Sequence, residues 1–204
     1  MSTHHVHEQL HEATHHATGH GDSHPPKPKD FARRVAIQIS VIAALLAVSE
    51  MGGKNAQNTA LISNQEAANL WAFFQAKTIR MTTMVTAAEL LEAEMPPAAD
   101  AKKVQDQIAK WKGAAARYQS EPDTGEGRKE LAARAKAAEK KRDDSLSAYH
   151  QFEYGSAAFQ LSIVLASAAV VTGVAMLAHI SLGLGVVGLA FTALGTFAPN
   201  LLHF

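Results

Sequence analysis

SAAFQLSIVLASAAVVTGVAMLAHISLGLGVVGLAFTALGTFAPNLLHF, residues 156–204, contains no Lys, Arg, Asp or Glu over 49 positions. That is too long for one crossing of a hydrocarbon layer, which a helix rising about 1.5 Å per residue spans in about 20 residues. The run divides at the short polar break His179-Ile180-Ser181, and Gly183 and Gly185 loosen the start of its second half. A helical hairpin in a membrane is expected, with spans over 156–178 and 182–199. A second uncharged run, VAIQISVIAALLAVS over Val35–Ser49, is closed by Glu50. With Phe31 and Ala32 in front it is long enough for a third span, over 31–51. A buried helix of a soluble core would be shorter and would show a polar face.

The remainder of the chain is of a different kind. Gly52 to Gly155 holds 15 Lys/Arg and 14 Asp/Glu and is rich in Ala, Glu, Lys and Gln, which favour helix. A first helix is expected from about Lys54 to Glu94, stopped by Pro96-Pro97, since a proline pair cannot continue it. A second should start at Asp100 as N-cap and run to about Ser120, where Glu121-Pro122-Asp123-Thr124-Gly125 reads as a loop. A third should run from near Gly127 into Tyr154. Two adjacent glycines cost about 2 kcal/mol in a helix interior, so Gly52-Gly53 suggests a bend after the first span. The fold class is thus all-α: an integral membrane protein with three transmembrane helices and an extramembrane, coiled-coil-like bundle over 52–155.

Apolar positions in the three helices alternate by three and four, as helices packed along their length require. Ala67, Trp71, Phe74, Thr78, Met81, Val85 and Ala88 form one such line. Val104, Ile108, Trp111, Ala115 and Tyr118 form another, and Leu131, Ala135, Ala138, Arg142, Leu146 and Tyr149 a weaker third. Glu130–Arg134 and Asp106–Lys110 have the spacing of supporting ion pairs. Trp71 and Trp111 read as core side chains. Asn58 and Asn64 belong to a polar cluster just past the first span. Asn64 shares the heptad line of Ala67 and Trp71, so it either fixes register against a partner helix or sits on a solvated face. Gly185, Gly188, Thr192 and Gly195 fall on one helix face, which either packs the hairpin or forms a seam between subunits.

The block Glu50-Met51-Gly52-Gly53-Lys54-Asn55-Ala56-Gln57-Asn58, followed by Asn64-Gln65-Glu66-Ala67 and Leu70-Trp71-Ala72-Phe73-Phe74-Gln75-Ala76-Lys77, resembles bacterial membrane proteins grouped as domain of unknown function 4337. The resemblance runs from about Asp30 onward. It implies a membrane protein of bacterial origin and brings no activity or site residue with it.

Equal numbers of basic and acidic residues, 19 of each, argue against a nucleic-acid partner. With no cysteine, disulfides, thiolate metal sites and cysteine nucleophiles are excluded. Eight of the eleven histidines lie in the first 24 residues, in a tail over 1–30 expected to be disordered. His7-Glu8-Gln9-Leu10-His11 and His11-Glu12-Ala13-Thr14-His15 match the zinc-peptidase pattern, but so histidine-rich a tail produces it by chance and offers no apolar face to bury it. Either the tail stays unstructured and gains charge as pH falls through about 6.5, or His4, His7, His11 and His15 hold Zn²⁺ or Ni²⁺ weakly at helical spacing. Pro25, Pro26 and Pro28 read as a stiff spacer between this tail and the membrane.

Ala47-Val48-Ser49 has the look of a signal cleavage site, but about thirty polar residues precede the apolar run, which favours an uncleaved anchor. Lys27, Lys29, Arg33 and Arg34 crowd its N-terminal side, which predicts a cytoplasmic N-terminus in a bacterial inner membrane. Nothing pairs a nucleophile with a base, so no enzyme is expected and no cofactor is called for. The expected role is a membrane-anchored structural or interaction module that self-associates, as a homo-oligomer, or docks other membrane proteins. The alternatives are a subunit of a transport or channel complex, or low-affinity metal handling by the tail.

Overall fold

The computed structural model describes residues 27–94 and 101–201, giving only the backbone for 27–29. Among the described residues four helices follow in order: α1 Lys27–Ala93, α2 Ala101–Gln119, α3 Arg128–Thr172 and α4 Ala175–Phe197. No strand occurs among the described residues. Three of the helices, α1, α3 and α4, are long and apolar enough to cross a membrane.

α1 is one unbroken helix of 67 residues, about 100 Å long. It carries the first apolar run directly into the charged segment, and Gly52-Gly53, the site of the expected bend, does not interrupt the helix. The glycines are there for packing. A Cβ on Gly52 would lie 2.6 Å from Cε1 of Phe152, and one on Gly53 would lie 3.3 Å from Cβ of Phe152. The helix cost of two glycines is offset by an aromatic ring seated directly on the backbone. Pro28, read as part of a spacer, lies in the first turn of α1, where proline's missing N–H is no loss.

Every seventh residue of α1 from Val35 through Ile42, Ser49, Ser63 and Leu70 to Lys77 is buried, with Ala56 half-buried between them. A strict seven-residue repeat on a helix of 3.6 residues per turn winds the packed pair left-handedly. The partner is α3, antiparallel. Trp71 Nε1 donates to Glu139 Oε1 at 2.8 Å, Arg142 Nη1 to Asn64 Oδ1 at 3.4 Å, and Ser49 Oγ to the Phe152 carbonyl at 3.0 Å. Ala67, Leu70, Leu131, Ala135 and Ala138 form the core at the charged level. Val35, Ala166, Ala169 and Ala178 form one at the far end of the apolar level.

α3 also runs without a break, from the charged segment through Tyr154 and Gly155 to Thr172. It ends at Gly173, whose φ of +72° is left-handed and whose N–H bonds the Ala169 carbonyl. The hairpin turn is therefore Gly173-Val174, not His179-Ile180-Ser181. The second apolar helix stops at Thr172 rather than at residue 178. Polar residues inside α4 do not break it because they are satisfied in place. His179 Nδ1 lies 2.9 Å from the Ala175 carbonyl, and Ser181 bonds across to α3. α4 returns antiparallel to α3 and parallel to α1. α2 lies on the far half of α1, with Lys112 paired to Glu92. The loop between α2 and α3 turns at Gly125, φ +67°. Of the ion pairs read from the sequence, Glu130 turns instead to Ser120 and Glu121, and Arg134 Nη1 reaches the Gly125 carbonyl at 3.5 Å.

Candidate interaction surface

The small-residue face of α4 is filled by the same chain. A Cβ on Gly188 would stand 2.8 Å from Cδ1 of Phe159, on Gly195 3.2 Å from Cδ2 of Phe152, and on Gly185 3.4 Å from Cδ1 of Ile42. Gly155 and Gly188 let the backbones of α3 and α4 touch: a Cβ on either would come within 3.0 Å of the other's carbonyl. Gly185, Gly188 and Gly195 thus sit inside the three-helix packing and leave no room there for a second chain.

Hydroxyls tie the same level together. Ser162 Oγ donates to the Ser181 carbonyl at 2.6 Å, Ser181 Oγ to the Ser162 carbonyl at 2.8 Å, and Gln38 Nε2 to Ser181 Oγ at 3.0 Å. Nearer the charged segment, Ser156 and Thr192 donate to Ser49 Oγ at 3.1 and 3.2 Å. In lipid such bonds hold helices together, each worth about 0.6 kcal/mol on average.

At the charged level two cations act as bolts. Lys77 is only 7 % exposed, with Nζ 3.7 Å from Glu126 and over the rings of Phe73 and Tyr118 at 5.3 and 5.4 Å. Arg128 stacks on Phe74 at 4.9 Å, and donates to Thr78 Oγ1 and Gln119 Oε1, both at 2.8 Å. Together they fasten α2, the following loop and the start of α3 to α1. Composition gives no hint of a lysine this deep. Its place in the seven-residue repeat that begins at Val35 is the signal that marks it. In the same loop the Ser120 hydroxyl and the Glu121 N–H donate to Glu130 at 2.7 and 3.2 Å. The Ser120 bond is the main reason the Glu130 carboxyl lies below the ordinary carboxylate range.

Trp71 is half-buried in the α1–α3 core, edge-on to Phe74 at 5.4 Å between ring centres. Asn64 is exposed, beside a groove of about 340 Å³ between α1 and α3 that Leu61, Leu146 and Tyr149 also line. It therefore does not act as a buried register residue within the chain. Asn58 is exposed on a different side of α1. His4, His7, His11 and His15 lie outside the described residues. Among the described residues no group of three or more His, Asp or Glu is placed to hold a metal ion.

Away from its packed stripe α1 exposes large apolar side chains. Met51 is 69 % exposed, Ile62 68 %, Ile79 67 % and Leu90 61 %. Lipid would account for exposure at Ile37, Val41 and Val48, but Ile62, Ile79 and Leu90 lie on the charged stretch beyond the apolar run.

No curated protein and no solved structure matches the chain. Residues 31–198 match the family described as Domain of unknown function (DUF4337), nearly the whole of the four-helix arrangement, and the chain belongs to that family.

Proposed function

We propose that this protein is a membrane-anchored interaction module without catalytic activity, which self-associates or docks partner proteins. α1, α3 and α4 cross a bacterial inner membrane. The tail and the turn at Gly173 face the cytoplasm, and α2 with the charged halves of α1 and α3 stands on the other side. The carrying observation is three exposed large apolar side chains, Ile62, Ile79 and Leu90, on a helix that continues without interruption out of its apolar segment. Burying these side chains against a partner contributes about 20–33 cal/mol per Å² of apolar surface, set against the cost of association. Arg33 and Arg34 on the tail side support the orientation.

Topology is tested with single cysteines in this cysteine-free chain. Ser120→Cys reacts with an impermeant maleimide on intact spheroplasts and Ser2→Cys does not; the opposite pattern inverts the orientation. Retention of the protein in membranes under alkaline carbonate is expected, and its release would remove the membrane anchor.

The polar seam of Gln38, Ser162, Ser181 and Ser49 gives a transport or channel role its one support. Gln38, Ser162 and Ser181 bond one another and Ser49 bonds Ser156 and Thr192, which is how helix-joining polar residues behave, and no ionisable residue lies among them. Purified protein in liposomes should not increase ion flux; a selective flux would favour the channel reading. Weak metal handling by the tail is tested by calorimetry on a peptide of residues 1–28 with Zn²⁺ at pH 7.5, where no heat removes it.

A further inference from the structure

α1 carries two seams of alternating three- and four-residue spacing, set two residues apart and so about 200° apart around the helix. The inner seam, through Val35, Ile42 and Leu70, is covered by α3, with α4 joining it at Val35 and Ile42. The outer seam runs from Ile37 to Leu90 through Val48, Met51, Asn55, Asn58, Ile62 and Asn69, all of them exposed. We infer that the outer seam is the interface of a parallel, in-register homodimer, in which α1 of one copy lies against α1 of the second. This rests on the membrane-anchored, self-associating reading above and names its partner and register.

Three features select a second copy as the occupant. Two copies anchored in one membrane in the same orientation have parallel α1 helices at equal depth, which fixes direction and register together. A two-fold axis along the seam then sets each residue against its own counterpart, where any charge would meet its like. From Ile37 to Leu90 no seam position is Lys, Arg, Asp or Glu, while Lys54, Glu66, Arg80 and Glu89 all fall beside it. The polar residues at the seam are the amides Asn55, Asn58, Gln65 and Asn69 and the hydroxyls Thr83 and Thr86, each both donor and acceptor and so able to pair with its own counterpart; within one chain Gln65 Nε2 donates to Asn69 Oδ1 at 3.0 Å. Val48, Asn55, Ile62 and Asn69 follow one another at seven-residue intervals, the a positions of a heptad. Asparagine there fixes register and a defined oligomer state in parallel coiled coils. The extramembrane part of the seam, Met51 to Leu90, is about 60 Å long, far beyond the reach of lipid.

The test is disulfide trapping of the full-length protein in native membranes with an oxidising catalyst, on single-cysteine variants at exposed positions. Asn55→Cys, Ile62→Cys and Asn69→Cys should each trap as a dimer, while Asn64→Cys and Gln57→Cys, exposed but off the seam, should remain monomer. Trapping at Asn64→Cys in place of Ile62→Cys overturns the seam. So does trapping between Asn55→Cys and Asn69→Cys in a mixed sample when neither traps alone. Mass determination in mild detergent separates the outcomes. A dimer by mass with no trapping at Ile62→Cys overturns the seam and leaves self-association standing. A monomer by mass with no trapping removes both.

Discussion

Phe152 of α3 occupies the space that a side chain on Gly52 of α1 would need: a Cβ there would stand 2.6 Å from the ring. The same ring presses on Gly195 of α4 from its other edge, so one phenylalanine locks all three apolar helices where they meet the charged segment. Gly52→Leu should therefore lower the melting temperature, at a cost of about 1–3 kcal/mol for overpacking. A Cβ on Gly113, in α2, would meet nothing within 4 Å, and Gly113→Ala should stabilise by up to about 1 kcal/mol. Opposite signs for two helical glycines, read by thermal melting in detergent, are what the packing requires.

The Ser162–Ser181 pair sits where α3 and α4 touch with no exposed surface at either residue. Ser181→Ala removes hydroxyl bonds but keeps the close approach, and should cost about 0.6 kcal/mol, at most about 1.7. Ser181→Leu forces the helices apart and should prevent a stable fold. Retention of a folded, monodisperse protein by Ser181→Leu would show that the hairpin is looser than described.

Trp71 is only half-buried, so Trp71→Ala should cost less than the 3–5 kcal/mol typical of a fully buried large aromatic. Part of its contribution is the bond from Nε1 to Glu139. Trp71→Phe keeps most of the ring packing and should lose about 1.5–3 kcal/mol, as expected for a hydrogen bond to a charged group. The difference in melting temperature between the two variants checks the division.

The Glu130 carboxyl is held below its ordinary value of 4.5, first by the Ser120 hydroxyl. A carboxylate whose folded-state pKa is depressed contributes stability above the unfolded value, lost as pH falls through the folded one. The loop between α2 and α3 should therefore loosen as pH falls below about 4.5. Ser120→Ala should weaken this acid dependence and raise the Glu130 pKa, measurable by carboxyl NMR titration.

The apolar segments are legible because missing charge is a property of the sequence alone, and α2 and the loop at Gly125 follow from proline and glycine. The turns between and within helices are not. His179-Ile180-Ser181 looks like a break, yet Ser181 is satisfied by Ser162, nineteen positions away, and the true turn depends on one left-handed glycine, Gly173. Gly52-Gly53 looks like a hinge because the ring that needs them belongs to a helix a hundred residues on. The spacing on α1 shows a packed stripe at Ala67 and Trp71, but a second stripe through Ile62 acquires meaning only once α3 is seen to cover the first. Asn64 reads with the inner stripe, although its side chain points out towards Arg142.

If this chain is an anchored module whose exposed helix face is completed by association, its mass in mild detergent must exceed that of one chain. Light scattering on the purified full-length protein, corrected for bound detergent, should give twice the chain mass of 21.8 kDa. It should fall to the chain mass when Ile62 and Ile79 are both changed to Lys, with helix content unchanged by circular dichroism. A stable monomer of the unaltered protein, with no protein co-purifying, would contradict association through this face.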